Sequence, residues 1–256
     1  MELLLPERFE RPATAYGYQR VIFEQVAAGE RSPTVSITPS TRHVGVTRRD
    51  TFREGFAEAV RASREEGYPV LVRSAGGGAT AAHYGTFGFS AIRPAKGDES
   101  GRTIRDRYEE AAALVLGAFS RLGLRAAAVG EVRDEFCPGD HSIRVGSWED
   151  GAKVVGIAQR LTRRATSVGG IVLVEGEGEL ARVLERVYAA MRLPFRPQSV
   201  GSLRRAGCSA GVDLVIDAFA AEAALRYGAG RVPLDEPTLA LARGSGGAHL
   251  VGAVEA

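Results

Sequence analysis

Cys137, in the run Glu135-Phe136-Cys137-Pro138-Gly139-Asp140, is followed sixteen residues later by Lys153, in Ala152-Lys153-Val154-Val155-Gly156-Ile157-Ala158-Gln159-Arg160. A thiolate is a potent nucleophile, and a nearby cation raises its population at neutral pH by lowering a thiol pKa that otherwise lies near 8.5. A thiol on a tight turn and a fixed cation on the next segment are the parts of an acyl-transfer site. The cation is notable for its type. Of 33 basic residues only Lys96 and Lys153 are lysine. Arginine offers a broad, permanently charged fork and lysine a compact point charge, so a position that keeps lysine in an arginine-rich chain needs an ammonium. The competing reading is a leftover surface lysine at the mouth of a strand. Cys137-Pro138-Gly139 suits a turn with proline and glycine at its central positions, holding the thiol at a loop tip. Asp134, Glu135 and Asp140 would raise the thiol pKa if they pointed inward, and are expected to face solvent or a carrier protein.

The second motif is Arg73-Ser74-Ala75-Gly76-Gly77-Gly78-Ala79-Thr80-Ala81-Ala82-His83, just after an apolar run. Three glycines strip side chains from the backbone, so a ligand can lie against it and its amides can face a carbonyl or a phosphate. A bulge or hairpin turn would look the same. No lysine follows as in a phosphate-binding GxxxxGK[ST] loop. Amides around Gly76, Gly77, Gly78 and Cys137 are candidate donors to an oxyanion. Phe87, Phe89 and Val155 are candidates to wall an apolar chain, and His83 and His141 compete as proton shuttle, with His83 the more suited to shaping the pocket.

The elements that must position these groups alternate between helix and strand. Residues 51–67 place Phe52, Phe56 and Val60 four apart and stop at Gly67, which predicts an amphipathic helix. A strand over 70–73 and a helix over 103–122 follow, the latter with Ile104, Tyr108, Ala112, Val115, Phe119 and Leu122 on one face. Residues 126–132, 142–145, 153–161 and 167–174 read as a meander of strands, and 177–191, 214–226 and 236–242 as helices. Gly244-Ser245-Gly246-Gly247 reads as a flexible turn. These elements imply an α+β fold, a largely antiparallel mixed sheet flanked by helices, with an acyltransferase domain over 1–195 and a helical segment over 196–256 packed on it.

Composition narrows the function classes. A formal net charge of +2, spread over scattered arginines, does not make the basic stripe of a nucleic-acid binder. No apolar run reaches the roughly 20 residues a membrane span needs. With no signal peptide recognised, the two cysteines, Cys137 and Cys208, are expected as free thiols in a cytoplasmic protein. No metal site is expected.

The glycine motif with Arg73, Ser74 and His83, then Gly85-Thr86-Phe87-Gly88-Phe89-Ser90, resembles the signature of the biotin/lipoate ligase and octanoyltransferase superfamily, and 153–160 is similar to its second motif, KixGxAQr. The resemblance covers roughly residues 33–175. Cys137-Pro138-Gly139-Asp140-His141-Ser142, ahead of the lysine, is similar to the CPG motif of the branch that moves octanoyl groups from glycine cleavage H protein to other proteins. The resemblance implies a protein acyltransferase of EC 2.3.1 type in lipoate assembly. Its octanoyl or lipoyl group would pass from a carrier, H protein or acyl carrier protein, through an acyl-Cys137 thioester to a lysine on a lipoyl domain of a 2-oxoacid dehydrogenase. Cys137 and Lys153 would be catalytic. Arg73, Ser74, Gly76, Gly77, Gly78, His83, Gly156 and Ala158 would bind substrate, and no cofactor or ATP is expected. Two alternatives are an ATP-dependent lipoate ligase, with Cys137 incidental, and a non-catalytic carrier-binding paralogue. The chain departs from the pattern at Tyr84, where an aspartate is usual, and at Gly88, where an asparagine is usual. His141 matches an aromatic position, which implies packing, and Cys208 lies outside any matching motif.

Overall fold

Strands whose two faces differ in side-chain size organise the molecule, which is known from a computed structural model that describes residues 1–96, 99 and 101–251. In chain order the elements are β1 (Glu2–Leu4), α1 (Pro12–Ala28), β2 (Thr34–Pro39), β3 (His43–Thr47), α2 (Phe56–Glu65), β4 (Val70–Arg73), β5 (Thr80–Ala82) and β6 (Thr86–Pro94). There follow α3 (Ile104–Arg121), β7 (Ala127–Val129), β8 (Ile143–Val145), β9 (Ala152–Leu161), β10 (Ala165–Leu173), α4 (Glu177–Ala190), α5 (Val212–Tyr227), β11 (Gly230–Arg231) and α6 (Glu236–Ser245).

Eight strands form one sheet in the order β11-β1-β2-β6-β10-β9-β8-β7, and β4-β3-β5 form a second, three-stranded sheet. The large sheet is antiparallel from β2 to β7 and parallel where β1 meets β2 and β11. This is the mixed, largely antiparallel α+β arrangement expected from the sequence. Successive strand residues point to opposite faces. On β6, Phe87, Phe89 and Ala91 turn toward α3 and α5, where the Phe219 ring lies 5.0 Å from Phe87 and 5.4 Å from Phe89. The other face carries Gly88, Ser90 and Ile92 and is covered by α1. A second core joins the small sheet to α2 and α4 through Val44, Tyr68, Leu180, Val187 and Tyr188. The segment after residue 196 joins both the sheet and the core: α5 packs on the large sheet, β11 pairs with β1, and α6 lies across α1.

Local chemistry sets the helix ends. The α3 helix opens with a reciprocal cap, in which the Asp106 amide donates to Thr103 Oγ1 and the Thr103 amide to Asp106 Oδ2. The helix expected over 51–67 begins only at Phe56. Gly55, at φ +76°, sits so close to α4 that a Cβ would lie 1.9 Å from the Ala190 carbonyl oxygen. Phe52 falls in a short 3-10 turn and is 79 % exposed, so it is no core residue. Ile104, in the first turn of α3, is likewise exposed. The glycine-rich stretch near residue 245 is no loose turn: α6 runs to Ser245, and Gly246 packs where a Cβ would lie 2.6 Å from the Ala13 carbonyl oxygen. Among the described residues no helix is long and apolar enough to cross a membrane.

Candidate active site

Cys137 lies in the loop between β7 and β8, with a backbone φ of +45°. A non-glycine residue in that left-handed region costs on the order of 1 to 3 kcal/mol and persists only where its surroundings hold it. Both sides of its backbone are held. Its N–H donates to Tyr188 Oη at 2.6 Å, and that hydroxyl donates to the Ala79 carbonyl at 2.9 Å. Its carbonyl accepts from Lys153 Nζ at 2.8 Å. The turn expected around Pro138 and Gly139 is displaced: the hydrogen bond that closes it runs from the Ser142 amide to the Gly139 carbonyl. The strained residue is the cysteine itself.

Glu135 overturns its expected orientation. It is 1 % exposed, and its carboxylate accepts from the Val132 amide at 2.9 Å, from Ser142 Oγ at 2.5 Å and from Lys153 Nζ at 2.9 Å. Asp134 and Asp140 are exposed, as expected. Lys153 is equally buried, and its third proton goes to the Phe136 carbonyl at 2.9 Å. An ammonium has three donors, and all three are committed to this loop. Lys153 is therefore neither a surface residue nor in contact with the sulfur.

The sulfur has other partners. Arg73 Nη2 lies 3.2 Å from Cys137 Sγ and also donates to the Gly78 carbonyl at 2.8 Å, while the Gly78 amide donates to Sγ at 3.2 Å. Burial pushes the thiol pKa up, but the charges of Arg73 and then Lys153, with the Gly78 amide, outweigh it and leave the thiol below its ordinary value. Tyr188, buried beside that sulfur, is pushed upward by burial first and the thiolate second, and so stays a neutral phenol.

The three glycines have different duties. Gly77, at φ +103°, has no room for a side chain: a Cβ would lie 2.5 Å from Cys137 Sγ and 2.8 Å from Arg73 Nη2. Gly78 supplies the amide on sulfur. Gly76 spends its amide on the Gln159 carbonyl, with open space where its Cβ would be, so it is not a donor to the site. His83 also stands apart from the sulfur. It is buried, with Nδ1 accepting from the Gly85 amide at 3.0 Å and Nε2 at 3.1 Å from the Gly176 carbonyl, and it pins the turn before β6 to the start of α4. His141 stacks on Tyr108 at 4.3 Å and 14° between planes. Cys208 is buried in the main core, and both cysteines are free thiols.

A cavity of about 200 Å³ opens from Cys137 and Arg73 between the large sheet and α1. Ser74, Gly156 and Ala158 line it, together with Gly88, Ser90 and Gly169 of the floor and Tyr16, Gln19 and Phe23 of α1. Of the expected apolar wall only Phe89 borders it, and its ring, like Phe87 and Val155, packs in the main core on the opposite face of the sheet. Sequence reasoning missed Tyr188, the clamp on the cysteine amide, and Tyr16, whose hydroxyl is pushed up to about 12 by burial against the weaker pull of Arg73. Neither carries a local motif. Both are ordinary helical tyrosines until the chain folds.

Residues 11–224 match the model of the lipoyl protein ligase A/B catalytic domain. The chain belongs to that family. It is 32 % identical over 166 residues to octanoyl-GcvH:protein N-octanoyltransferase of Geobacillus kaustophilus, a match that takes in 64 % of this chain and 56 % of that protein. The chain thus spans little more than half the length of the curated relatives it matches. The fold is that of protein Ta0514 from T. acidophilum with bound lipoic acid, at TM-score 0.72 and 19 % identity over 95 % of this chain and 93 % of that one. It is also that of lipoate-protein ligase A bound with ATP, at TM-score 0.71 and 21 % identity over 95 % and 92 %.

Proposed function

We propose that the protein is a cysteine-dependent acyltransferase of lipoate assembly, moving an octanoyl or lipoyl group between carrier proteins without ATP. The observation that carries the reading is the sulfur of Cys137, held by a guanidinium and a backbone amide at 3.2 Å each. The thiolate attacks the acyl carbonyl of a donor, the C–N bond of a lysine amide breaks, and the departing amine takes a proton. The acyl-cysteine thioester is then attacked by the lysine amine of a second carrier, which loses a proton and restores the thiolate. With H protein as donor, donor and product are both lysine amides, so the net exchange needs no activation by nucleotide.

The donors now on the sulfur have a second use. An oxyanion formed on the attacked carbon lies two bonds beyond Sγ, within reach of the Gly78 amide and Arg73 Nη2 after a small shift. One such donor is worth about 3 kcal/mol in related chemistry. Cys137 would be the nucleophile and Arg73 and Gly78 the electrostatic partners, with Lys153 and Tyr188 keeping the cysteine in its strained conformation. Gly156, Ala158 and Ser74 would border the acyl group. The name of the Geobacillus relative supports H protein as donor; acyl carrier protein would be the second candidate, and lipoyl domains of 2-oxoacid dehydrogenases in the cytoplasm would be the acceptors.

Incubation with octanoylated H protein should add about 126 Da, an octanoyl group replacing a hydrogen, at Cys137 and in the absence of ATP and magnesium. An adduct mapped to Cys208, or strict dependence on ATP, refutes the reading, and the second result favours ligation instead.

A further inference from the structure

The small sheet turns two different faces to its neighbours. Val44, Val46, Val70, Val72, Ala79 and Ala81 pack in the second core, so the alternate positions His43, Arg73 and Thr80 face the cavity of Cys137. This end of the cavity is polar and incompletely satisfied. Of the five buried side-chain atoms without a hydrogen-bond partner among the described residues, three belong to its wall: Thr41 Oγ1, Arg73 Nε and His249 Nε2. Unpaired buried polar atoms are costly, and their clustering marks a place made for a polar group. His249 arrives there from far along the chain. It ends a 3-10 turn, Gly246–His249, beyond residue 224 where the family match stops. The segment is firmly seated: Leu250 bridges to Leu71, and the Val251 amide donates to the Val70 carbonyl at 2.9 Å. The His249 ring lies 5.6 Å from that of Tyr16, and its Nδ1 is 2.9 Å from the Val72 carbonyl oxygen. A carbonyl only accepts, so Nδ1 carries the proton and Nε2 presents a lone pair. Val72 directly precedes Arg73, the cation on the sulfur.

We propose that His249 Nε2 is the proton carrier of the acyl exchange, acting on the lysine nitrogen that leaves or attacks. The inference rests on the reading of Cys137 as nucleophile. When the thiolate adds to the donor amide, the S–C bond forms. Protonated Nε2 then delivers its proton to the nitrogen as the C–N bond breaks, directly or through one water. When the acceptor amine attacks the thioester, the N–C bond forms, neutral Nε2 takes a proton from that amine, and the C–S bond breaks to restore the thiolate. The proton gained in the second step replaces the one given in the first, so the cycle closes. The other groups nearby are unsuited. Arg73 does not release a proton, Lys153 has all three of its protons committed, and Tyr188 is a neutral phenol bonded to the Ala79 carbonyl. His43, whose Nδ1 lies 2.8 Å from the Thr41 carbonyl oxygen, is driven down to about 4 by burial and is too weak a base near neutral pH.

The test compares single-turnover capture by Cys137, read by mass spectrometry, from two octanoyl donors: a pantetheine thioester and octanoylated H protein. An amide nitrogen needs a proton to leave, and a thiolate does not. His249→Asn keeps an N–H for the Val72 carbonyl and removes the Nε2 lone pair. It should slow capture from the amide by a factor of about 10² or more and shift the thioester rate by about twofold at most. Equal slowing from both donors makes His249 a structural residue, and an unchanged amide rate makes it a bystander. Either result overturns the proposal and leaves acyl-Cys137 standing. Wild-type protein that captures from the thioester alone removes the amide exchange the proposal serves, and capture from neither removes Cys137 as nucleophile. His249→Ala guards against a misplaced asparagine. Free imidazole should restore its amide capture about tenfold, and a folded protein with no rescue also overturns the assignment.

Discussion

Replacing Lys153 by methionine tests whether this lysine holds the cysteine loop or merely lies near it. The side chain is 1 % exposed and satisfies Glu135, the Phe136 carbonyl and the Cys137 carbonyl at 2.8 to 2.9 Å. Methionine fills similar volume but leaves a buried carboxylate without its counterion and two carbonyls without a donor. Breaking a buried ion pair by removing one partner costs about 3 to 5 kcal/mol. Lys153→Met should therefore lower the unfolding free energy by about that much, read from the midpoint of a urea titration at constant m-value. If the cost comes from the stranded carboxylate, adding Glu135→Gln should recover part of it. The double variant should be more stable than the sum of the singles predicts, by about 1 to 3 kcal/mol. Below the midpoint, where the variant is folded, iodoacetamide should still alkylate Cys137, more slowly than in wild type. A cost under about 1 kcal/mol, or strict additivity with Glu135→Gln, would refute the account and make Lys153 a bystander.

Arg73→Met should move the pH profile of Cys137 alkylation upward, because the guanidinium is the foremost charge opposing burial at the thiol. The sign extends to stability: the folded thiol pKa lies below the unfolded one, so thiolate stabilisation is fully present above the unfolded value and lost as pH falls through the folded value. An unmoved profile would remove Arg73 from the site. Gly77→Ala should slow acyl capture about a hundredfold, as its Cβ overlaps the sulfur and the guanidinium, whereas Gly76→Ala should behave like wild type. Equal behaviour of the two in a single-turnover capture assay would contradict the assigned geometry.

The fold class was legible because β-strand alternation and helix stops are local signals. The α3 start at Thr103 and the strands β8 to β10 appear within two residues of their expected bounds. What local signals cannot report is which face of a strand meets which layer. Phe87, Phe89 and Val155 look like an acyl wall in sequence, yet the pleat turns Phe87 and Val155 to the core side. The middle of the cavity floor is written instead in Gly88, Ser90, Gly169 and Ala158, small residues that carry little hydrophobic signal, between Ile171 and Ile92. α1 escaped notice for a related reason: Gly17 interrupts its helical pattern, and is there because a Cβ would lie 2.2 Å from the Ala242 carbonyl oxygen of α6, some 225 residues away. Glu135 was misplaced because a carboxylate two residues before a thiol is expected in solvent unless a buried cation is known to await it.

The rarity of lysine pointed to a residue that the structure places against the cysteine loop, at its backbone and not at its sulfur. A lysine ammonium directs three protons to three separate acceptors, and Lys153 meets one carboxylate and two consecutive carbonyls, a geometry that a planar guanidinium does not match. Arg73 has the opposite task. Its fork spans the Gly78 carbonyl and the Cys137 sulfur, so it can follow negative charge from sulfur to a neighbouring oxygen without releasing the glycine loop. On the proposed reading the two cations divide the work by shape, one fixing the backbone of the strained cysteine and the other facing its sulfur. An exchange of the pair, arginine at 153 and lysine at 73, would keep the net charge and serve neither end of the site.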